Sequence, residues 1–193
     1  FVVGLHTQSP YLAILAALTA GGCGSLIYAI LTVTLKANQN VTGLTLTIFG
    51  TGFASFKGQA VMGSVCPSTI TSFFADKPIP LLSDIPVIGP VLFNQDIMVY
   101  IGYLTVIIVS IYLYKTRAGL NLRAVGESAA AADASGINVD LYKYVNIIIG
   151  GALCGLGGAY MSLVTVPIWQ DNIIDGRGWS AVALVFFATW NPI

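Results

Sequence analysis

The 193-residue sequence has few charged side chains: eight Lys and Arg, eight Asp and Glu, and one histidine. Charged residues make up 8% of the chain, whereas soluble globular domains carry about 25%. Because so few ionisable groups cannot cover a water-exposed surface of this size, the composition argues against a soluble enzyme domain. The net charge of zero gives no sign of a nucleic-acid partner, which would need a basic surface.

Residues that carry catalysis or bind metals are also scarce. The single histidine, His6, adjoins an apolar run and has no Cys or carboxylate close in sequence, so we interpret it as structural. Cys23, Cys66 and Cys154 show neither metal-ligand nor CxxC spacing. Residues 52–57 lack the residues of a Walker A loop around the lysine. We therefore predict no metal, cofactor or catalytic site, and energy must come from another chain or an ion gradient.

Long apolar runs are abundant. Hydrophobic residues make up 56% of the chain, and residues 1–35, 97–114 and 144–170 contain no Asp, Glu, Lys or Arg. Uncharged runs of about 18 or more residues can cross a bilayer as helices. We therefore predict an all-α, polytopic membrane protein. The predicted spans are Tyr11–Leu35, Val41–Phe56, Ile97–Tyr114, Asn146–Val166 and a fifth that begins near Gly178.

Glycine and proline predict where the backbone is irregular. Val41–Phe56 is rich in threonine and contains three glycines, so it is predicted to be an interrupted span of the kind that lines translocation paths. Val61–Phe74 is predicted to be a short helix or a re-entrant piece that is interrupted at Pro67. Residues 76–92 hold four prolines and are predicted to be extended.

Small residues indicate close helix packing. Two rows of alanine and glycine recur at four-residue spacing between residues 13 and 24, so the first span is predicted to be packed on at least two sides. A second set lies in the span after residue 146, where Gly150, Cys154 and Gly158 also form a row. The principal residues assigned to helix packing are Gly21, Gly151, Gly155 and Gly158.

The distribution of basic residues predicts the orientation. If the second and third spans each cross once, Lys36 lies on the same side as residues 115–143. That side then holds five of the eight basic residues: Lys36, Lys115, Arg117, Arg123 and Lys143. The excess of basic residues on cytoplasmic loops places this side in the cytoplasm.

The most distinctive stretch lies within residues 115–143. Ser128–Ser135 is predicted to be a short alanine-rich helix, with Gly136 as its stop and Glu127 near its N-terminus. A helix with so little side-chain bulk can dock closely into a groove of a partner. The alternative is a solvated loop helix, which would normally carry more charge.

This stretch resembles the coupling loop of bacterial ABC-importer permeases of the branched-chain amino acid, simple-sugar and nucleoside group. Ala131-Ala132-x-x-x-Gly136 matches the core of that loop, although Ala130 stands where the family has its acidic residue. The resemblance continues through Gly150–Tyr160 and Gly176–Trp179 to Trp190-Asn191-Pro192. Together with Leu122–Glu127, these motifs are most similar to the nucleoside or simple-sugar permeases.

The resemblance implies a transport subunit that is not itself an enzyme and that moves nucleosides or simple sugars by alternating access. It implies an ABC ATPase subunit that binds ATP and Mg²⁺, a second permease subunit and an extracytoplasmic substrate-binding lipoprotein, assembled in the bacterial inner membrane. Residues 1–193 are expected to be one permease domain that is incomplete at both ends, with residues 115–143 as its coupling loop. The coupling residues are expected to be Gly119, Arg123, Gly126, Glu127, Ala131, Ala132 and Gly136.

A candidate substrate path lies in or near the second span. Amide side chains can hydrogen-bond sugar hydroxyls or base edges, and aromatic rings can stack on a nucleobase. The candidate residues are Asn38, Gln39, Asn40, Thr45, Thr47, Phe49 and Phe53. The alternative is that these residues only cap a helix or face lipid.

Two other classes of protein remain open. A secondary transporter or channel for a small polar solute is disfavoured because the uncharged spans have no side chain to carry protons, although sodium could be held by carbonyls and hydroxyls. A membrane-embedded scaffold would not need the alanine-rich loop or an interrupted span.

Overall fold

The computed structural model of the chain describes residues 1–75, 95–174 and 176–188. Within these ranges the chain is helical, and the one β-bridge joins Val65 and Ile168. The all-α prediction is therefore confirmed. The helices are α1 (Val2–Thr7), α2 (Pro10–Ala29), α3 (Gln39–Gly58), α4 (Ser68–Phe73), α5 (Ile97–Lys115), α6 (Arg117–Glu127), α7 (Ala129–Ala134), α8 (Val139–Tyr160) and α9 (Arg177–Phe187).

Three helices are long and apolar enough to cross a bilayer. They are α2 with its π-helical extension, Pro10–Thr34; α5, Ile97–Lys115; and α8 with its extension, Val139–Thr165. Three of the predicted spans are thus confirmed, although α8 begins seven residues before the predicted Asn146. The fifth predicted span corresponds to α9, an apolar helix of 11 residues.

The prediction that the second span is interrupted is wrong. α3 runs unbroken for 20 residues through all of its glycines. Asn38 caps it by accepting hydrogen bonds from the backbone N–H groups of Asn40 and Val41, at 3.0 and 3.3 Å. Such a cap satisfies the first free N–H groups, and the glycines cost too little helix propensity to break the helix. α3 is not among the candidate spans.

α2 and α8 form the central pair, and they run antiparallel with backbone close to backbone. A Cβ atom added at Gly21 would lie 2.9 Å from the Cα of Gly155, and one added at Gly151 would lie 2.9 Å from the carbonyl oxygen of Gly21. Gly155 also packs against Ala17. Only small residues allow helices to approach so closely, and the dispersion contacts that result hold helices together in lipid.

The other predicted packing face makes no comparable contact within the described part of the chain. A Cβ atom added at Gly158, Gly150 or Gly24 would have no neighbour within 4 Å among those residues. The assignment of Gly158 and Gly150 to helix packing therefore stays a prediction, which no contact within the described residues supports. The reason is geometric, since these glycines lie away from the side on which α2 and α8 meet.

The buried core lies at the end of the pair remote from Lys36. Ile70, Phe74 and Leu163 are fully buried there, between the short helix α4 and the end of α8. α4 begins directly after Pro67, which confirms the predicted interruption. Residues 63–66 pair with 167–169 through backbone hydrogen bonds, so this end of the molecule is tied together across more than 100 positions of sequence.

Lys36 and the 115–143 loop lie at the same end, as predicted. The Thr34 hydroxyl is hydrogen-bonded to the Tyr144 hydroxyl. A groove of about 590 Å³ is lined by Lys36 together with α7 and the start of α8. The two basic segments that predicted the orientation are therefore adjacent in space.

Two predictions lie outside the described residues. One is the extended backbone of residues 76–92, and the other is the Trp190-Asn191-Pro192 motif.

The thiol of Cys66 is expected to resist alkylation. Cys66 is 5% exposed and lies in the core beside α4, outside the candidate spans. Burial raises the pKa of this thiol, so less reactive thiolate is present at any pH below that pKa. With the native fold intact, iodoacetamide should modify Cys66 at least about tenfold more slowly than a free cysteine at pH 8, and faster as pH rises. Mass spectrometry of the alkylated protein measures this rate, and rapid modification at pH 8 would contradict the burial.

Candidate functional site

The 115–143 segment folds as two capped helices that follow α5. The Gly119 N–H donates to the Thr116 hydroxyl at 3.0 Å at the start of α6, and the Ala131 N–H donates to the Ser128 hydroxyl at 3.3 Å at the start of α7. Gly136 follows α7 with a φ of 81°, a left-handed conformation that glycine adopts without strain. The prediction of a short helix within Ser128–Ser135 that stops at Gly136 is confirmed.

Two of the predicted coupling residues face the interior. Ala132 is 4% exposed. Gly119 is buried where α5 meets α6, and a Cβ atom added there would lie 2.6 Å from the Leu113 carbonyl oxygen. Because both residues are covered by this chain, their contact with another protein stays a prediction.

The remaining predicted coupling residues are exposed. The Arg123 guanidinium lies over the Tyr114 ring, 5.2 Å from its centroid. Glu127 is the last residue of α6 and directly precedes Ser128, which caps α7 in its place. The exposed members of the predicted set are Arg123, Gly126, Glu127, Ala131 and Gly136. We call these five residues the coupling surface after their predicted role, and they lie at the same end of the protein as Lys36.

A cavity of about 430 Å³ lies between α3 and residues 169–174, and its mostly apolar lining carries a row of hydroxyl side chains. We call it the α3 cavity. Thr42 and Gly58, the two buried residues of α3, anchor this helix on either side of the part that lines the cavity. Thr47, Thr51 and Ser55 line it from α3, at the four-residue spacing that places side chains on one helix face.

The hydroxyl groups of the α3 cavity are oriented by the backbone. The Thr47 hydroxyl donates to the Gly43 carbonyl oxygen and the Thr51 hydroxyl to the Thr47 carbonyl oxygen, both at 2.9 Å. The Ser162 hydroxyl donates to the Ala159 carbonyl oxygen at 3.4 Å. Because each proton is already donated, the hydroxyl oxygens retain lone pairs that can accept a hydrogen bond.

Trp169 closes the far end of the cavity. Its backbone is fixed by two hydrogen bonds, from the Gly63 N–H to its carbonyl oxygen at 3.0 Å and from its own N–H to the Ser64 carbonyl oxygen at 3.1 Å. Its indole lies against Gly58, where an added Cβ atom would be 2.5 Å from the ring atom Cε2. Only glycine at position 58 leaves room for this ring.

The structure separates most of the predicted path residues from the cavity. Phe49 and Phe53 stack with ring centroids 6.2 Å apart, and both are exposed. They share an α3 face with Thr45, roughly opposite to Thr47 because two residues turn a helix by about 200°. Asn38 is the helix cap, with Gln39 and Asn40 in the first turn. Of the predicted path residues, only Thr47 lines the α3 cavity.

The sequence analysis missed cavity residues in both walls. Gln170, Asp171 and Asn172 follow the last candidate span, and Thr51 and Ser55 extend the row that begins at Thr47. The row of hydroxyl residues at four-residue spacing was a usable signal for the α3 wall. No local pattern links that row to residues more than 100 positions later.

Metal-binding chemistry has no candidate in the part of the chain that the structure describes. No group of three or more His, Cys, Asp or Glu residues there is arranged to hold a metal ion.

An all-α chain with three helices able to cross a bilayer is a multi-pass membrane protein. Residues 1–193 match the family model described as "Branched-chain amino acid transport system / permease component". The chain belongs to this family of permeases.

Curated relatives match over nearly the whole chain. The "Putative glucose ABC transporter permease protein TsgC13" of Haloferax volcanii is 35% identical over 100% of the chain and 58% of its own length. The guanosine ABC transporter permease protein NupQ of Bacillus subtilis is 34% identical over 98% of the chain and 60% of its own length. The nucleoside ABC transporter permease protein NupC of Lactococcus lactis is 35% identical over 97% of the chain and 59% of its own length. The chain thus spans about 60% of these relatives, and no solved structure matches it.

Proposed function

We propose that this chain is part of the membrane-spanning permease subunit of an ATP-driven importer for nucleosides or simple sugars. The observation that carries the proposal is the match of residues 1–193 to the permease family. Relatives at 34–35% identity are named for guanosine, nucleosides and glucose. The substrate moves by alternating access, and ATP is hydrolysed on a separate chain.

The coupling surface supports this proposal. Small exposed residues on α7 and at its stop, Ala131 and Gly136, leave room for the close approach of a partner. A separate ABC ATPase subunit binds here and holds ATP and Mg²⁺. Because this surface lies at the end that carries Lys36, the predicted orientation places it in the cytoplasm of a bacterial cell, beneath the inner membrane.

Two further partners belong to the proposal. A second permease subunit completes the path across the membrane, and an extracytoplasmic lipoprotein delivers the substrate to the opposite end. That end carries the α3 cavity and the Trp169 segment.

The test is uptake into vesicles by the full-length protein assembled with its ATPase and lipoprotein. We expect ATP-dependent uptake of radiolabelled guanosine, adenosine or glucose that persists when proton and sodium gradients are collapsed by ionophores. A transporter without ATPase, in otherwise identical vesicles, is the control. Uptake that needs an ion gradient and ignores ATP would favour a secondary transporter, and no uptake of any of the three solutes would contradict the proposal.

A further inference from the structure

We propose that the α3 cavity binds the hydroxyl-bearing part of an uncharged solute and discriminates against phosphorylated solutes. This inference deepens the proposed function, on which it rests, by naming the residues and the class of substrate. The residues that act are Thr47, Thr51, Ser162 and Asp171. A ribose and a simple sugar share the chemistry that these residues recognise.

The cavity supplies hydrogen-bond acceptors to a bound solute. Thr47, Thr51 and Ser162 have donated their protons to backbone carbonyl oxygens, and the Asp171 carboxylate accepts only. Four side chains from two walls therefore present oxygen acceptors to one space. A solute rich in hydroxyl groups pairs with them, and the side-chain amide of Gln170 in the same lining can donate to a solute oxygen.

The charge of the cavity lining disfavours anionic solutes. Among the described residues that line the cavity, Asp171 is the one ionisable side chain, and no Lys, Arg or His lines it. The nearest basic group toward the chain end, Arg177, directs Nη1 to the Met161 sulfur at 3.6 Å. A phosphate would meet the like charge of Asp171 without a cationic partner among the described lining residues, and this repulsion lowers its affinity.

The size and the position of the cavity also suit a small-molecule site. A volume of about 430 Å³ lies within the range of about 300–1,000 Å³ that is usual for small-molecule sites. The cavity adjoins the Trp169 segment, at the end remote from Lys36, so it can receive a solute from the side opposite the ATPase.

The decisive variant is Thr51→Val, which keeps the shape of the side chain and removes its hydroxyl. Equilibrium binding of radiolabelled adenosine and of radiolabelled glucose is measured on the purified full-length permease assembled with its ATPase. We expect the dissociation constant of the bound solute to rise by about three- to tenfold, as for one lost hydrogen bond. Thr51→Ser keeps the hydroxyl and should bind as the wild type does.

The matched control is Thr45→Val on the opposite face of the same helix. The Thr45 hydroxyl also donates to a backbone carbonyl oxygen, that of Val41, at 2.8 Å. Thr45→Val therefore removes an equivalent helix contact without touching the cavity, and binding should not change. An equal loss of binding in Thr45→Val and Thr51→Val would overturn the assignment of the site.

Competition separates the classes of solute. Adenosine 5′-monophosphate should fail to displace adenosine or glucose from the wild type, and the labelled solute that binds decides between ribose and simple sugar. In Asp171→Asn, the monophosphate should compete at least about tenfold better, because the like charge is removed. A monophosphate that competes equally in both proteins would overturn the proposed selectivity.

Vesicle uptake by the same preparations distinguishes a failure of the cavity assignment from a failure of the proposed function. If the wild type transports a solute and Thr51→Val binds and transports it unchanged, the cavity assignment fails and the proposed function stands. If no solute is transported while Thr51→Val weakens binding, the cavity assignment stands and the proposed function fails.

Discussion

Replacing Gly21 with leucine is expected to force α2 away from α8 and to lower the amount of folded protein in the membrane several-fold. The nearest atoms to a Cβ at this position belong to the backbone of Gly151 and Gly155, and the Gly155 Cα would be 2.9 Å away. A rotamer change cannot relieve a clash with backbone, so the helices themselves must move apart. Overpacking of this kind costs about 3 kcal/mol, which lowers the ratio of folded to unfolded protein by about a hundredfold.

The control for this prediction is Gly24→Leu, three residues further along the same helix. A Cβ at Gly24 meets no atom of the described residues within 4 Å, and leucine has about 0.8 kcal/mol more helix propensity than glycine. Gly24→Leu should therefore leave stability unchanged or slightly higher. The amount of full-length protein in the membrane and its thermal unfolding midpoint in detergent measure both effects. Equal behaviour of the two variants would contradict the close packing of α2 on α8.

A second pair of variants tests the same contact from the other helix. Gly151→Leu should destabilise the protein because its Cβ would approach the Gly21 carbonyl oxygen, whereas Gly150→Leu, one residue away, should not.

The spans could be predicted because length and lack of charge determine whether a helix can cross lipid. The start of α5 was predicted to the residue, since Asp96 is its cap and accepts a hydrogen bond from the Val99 N–H. The start of α8 was missed because Asp140 and Lys143 break the uncharged run. The helix nevertheless extends through them to its cap at Asn138, because charged residues are compatible with the part of a helix that projects from the membrane.

The path of α3 was predicted less well because glycine is a weak signal in an apolar helix. Its three glycines suggested breaks, but a capped helix with Thr hydroxyls bonded to its own carbonyls tolerates them. α6 was overlooked for the same reason, since Gly119 and Gly126 lower its helix propensity. Thr116 gave a local sign of the helix start, because a threonine hydroxyl can cap a helix, and here it accepts a hydrogen bond from the Gly119 N–H.

The α3 cavity was beyond the reach of the sequence because its second wall depends on tertiary contacts. Trp169 reaches α3 only because its backbone pairs with Gly63 and Ser64, and Gly58 then accommodates its ring. The sequence also does not show which face of α3 meets this wall. The aromatic pair Phe49 and Phe53 was therefore as reasonable a candidate as the hydroxyl row.

The coupling surface can now be tested at a position that does not disturb the fold. The sequence analysis placed Ala132 and Gly136 among the residues expected to couple the permease to its ATPase. Ala132 is 4% exposed, and Gly136 has a φ of 81°. Arginine at either position would therefore damage the chain itself, and a loss of uptake would say nothing about a partner.

Ala131→Arg is the informative substitution because Ala131 is exposed on α7, one residue before the buried Ala132. In the full-length transporter assembled with its ATPase, we expect normal amounts of protein in the membrane and a fall in ATP-driven uptake of at least about tenfold. The reason is steric, since a docked helix leaves no room for a long charged side chain, and an unpaired charge in an interface costs further affinity. ATP hydrolysis by the ATPase should continue and no longer respond to substrate.

Two variants bracket this result. Ala131→Ser keeps a small side chain and should transport as the wild type does, whereas Ala132→Arg should lose folded protein because arginine cannot fit the buried position. Membrane abundance, uptake and ATP hydrolysis are measured on all three variants. Normal uptake by Ala131→Arg at normal abundance would place the ATPase contact elsewhere, since an exposed alanine in a docked helix cannot be replaced by arginine without consequence.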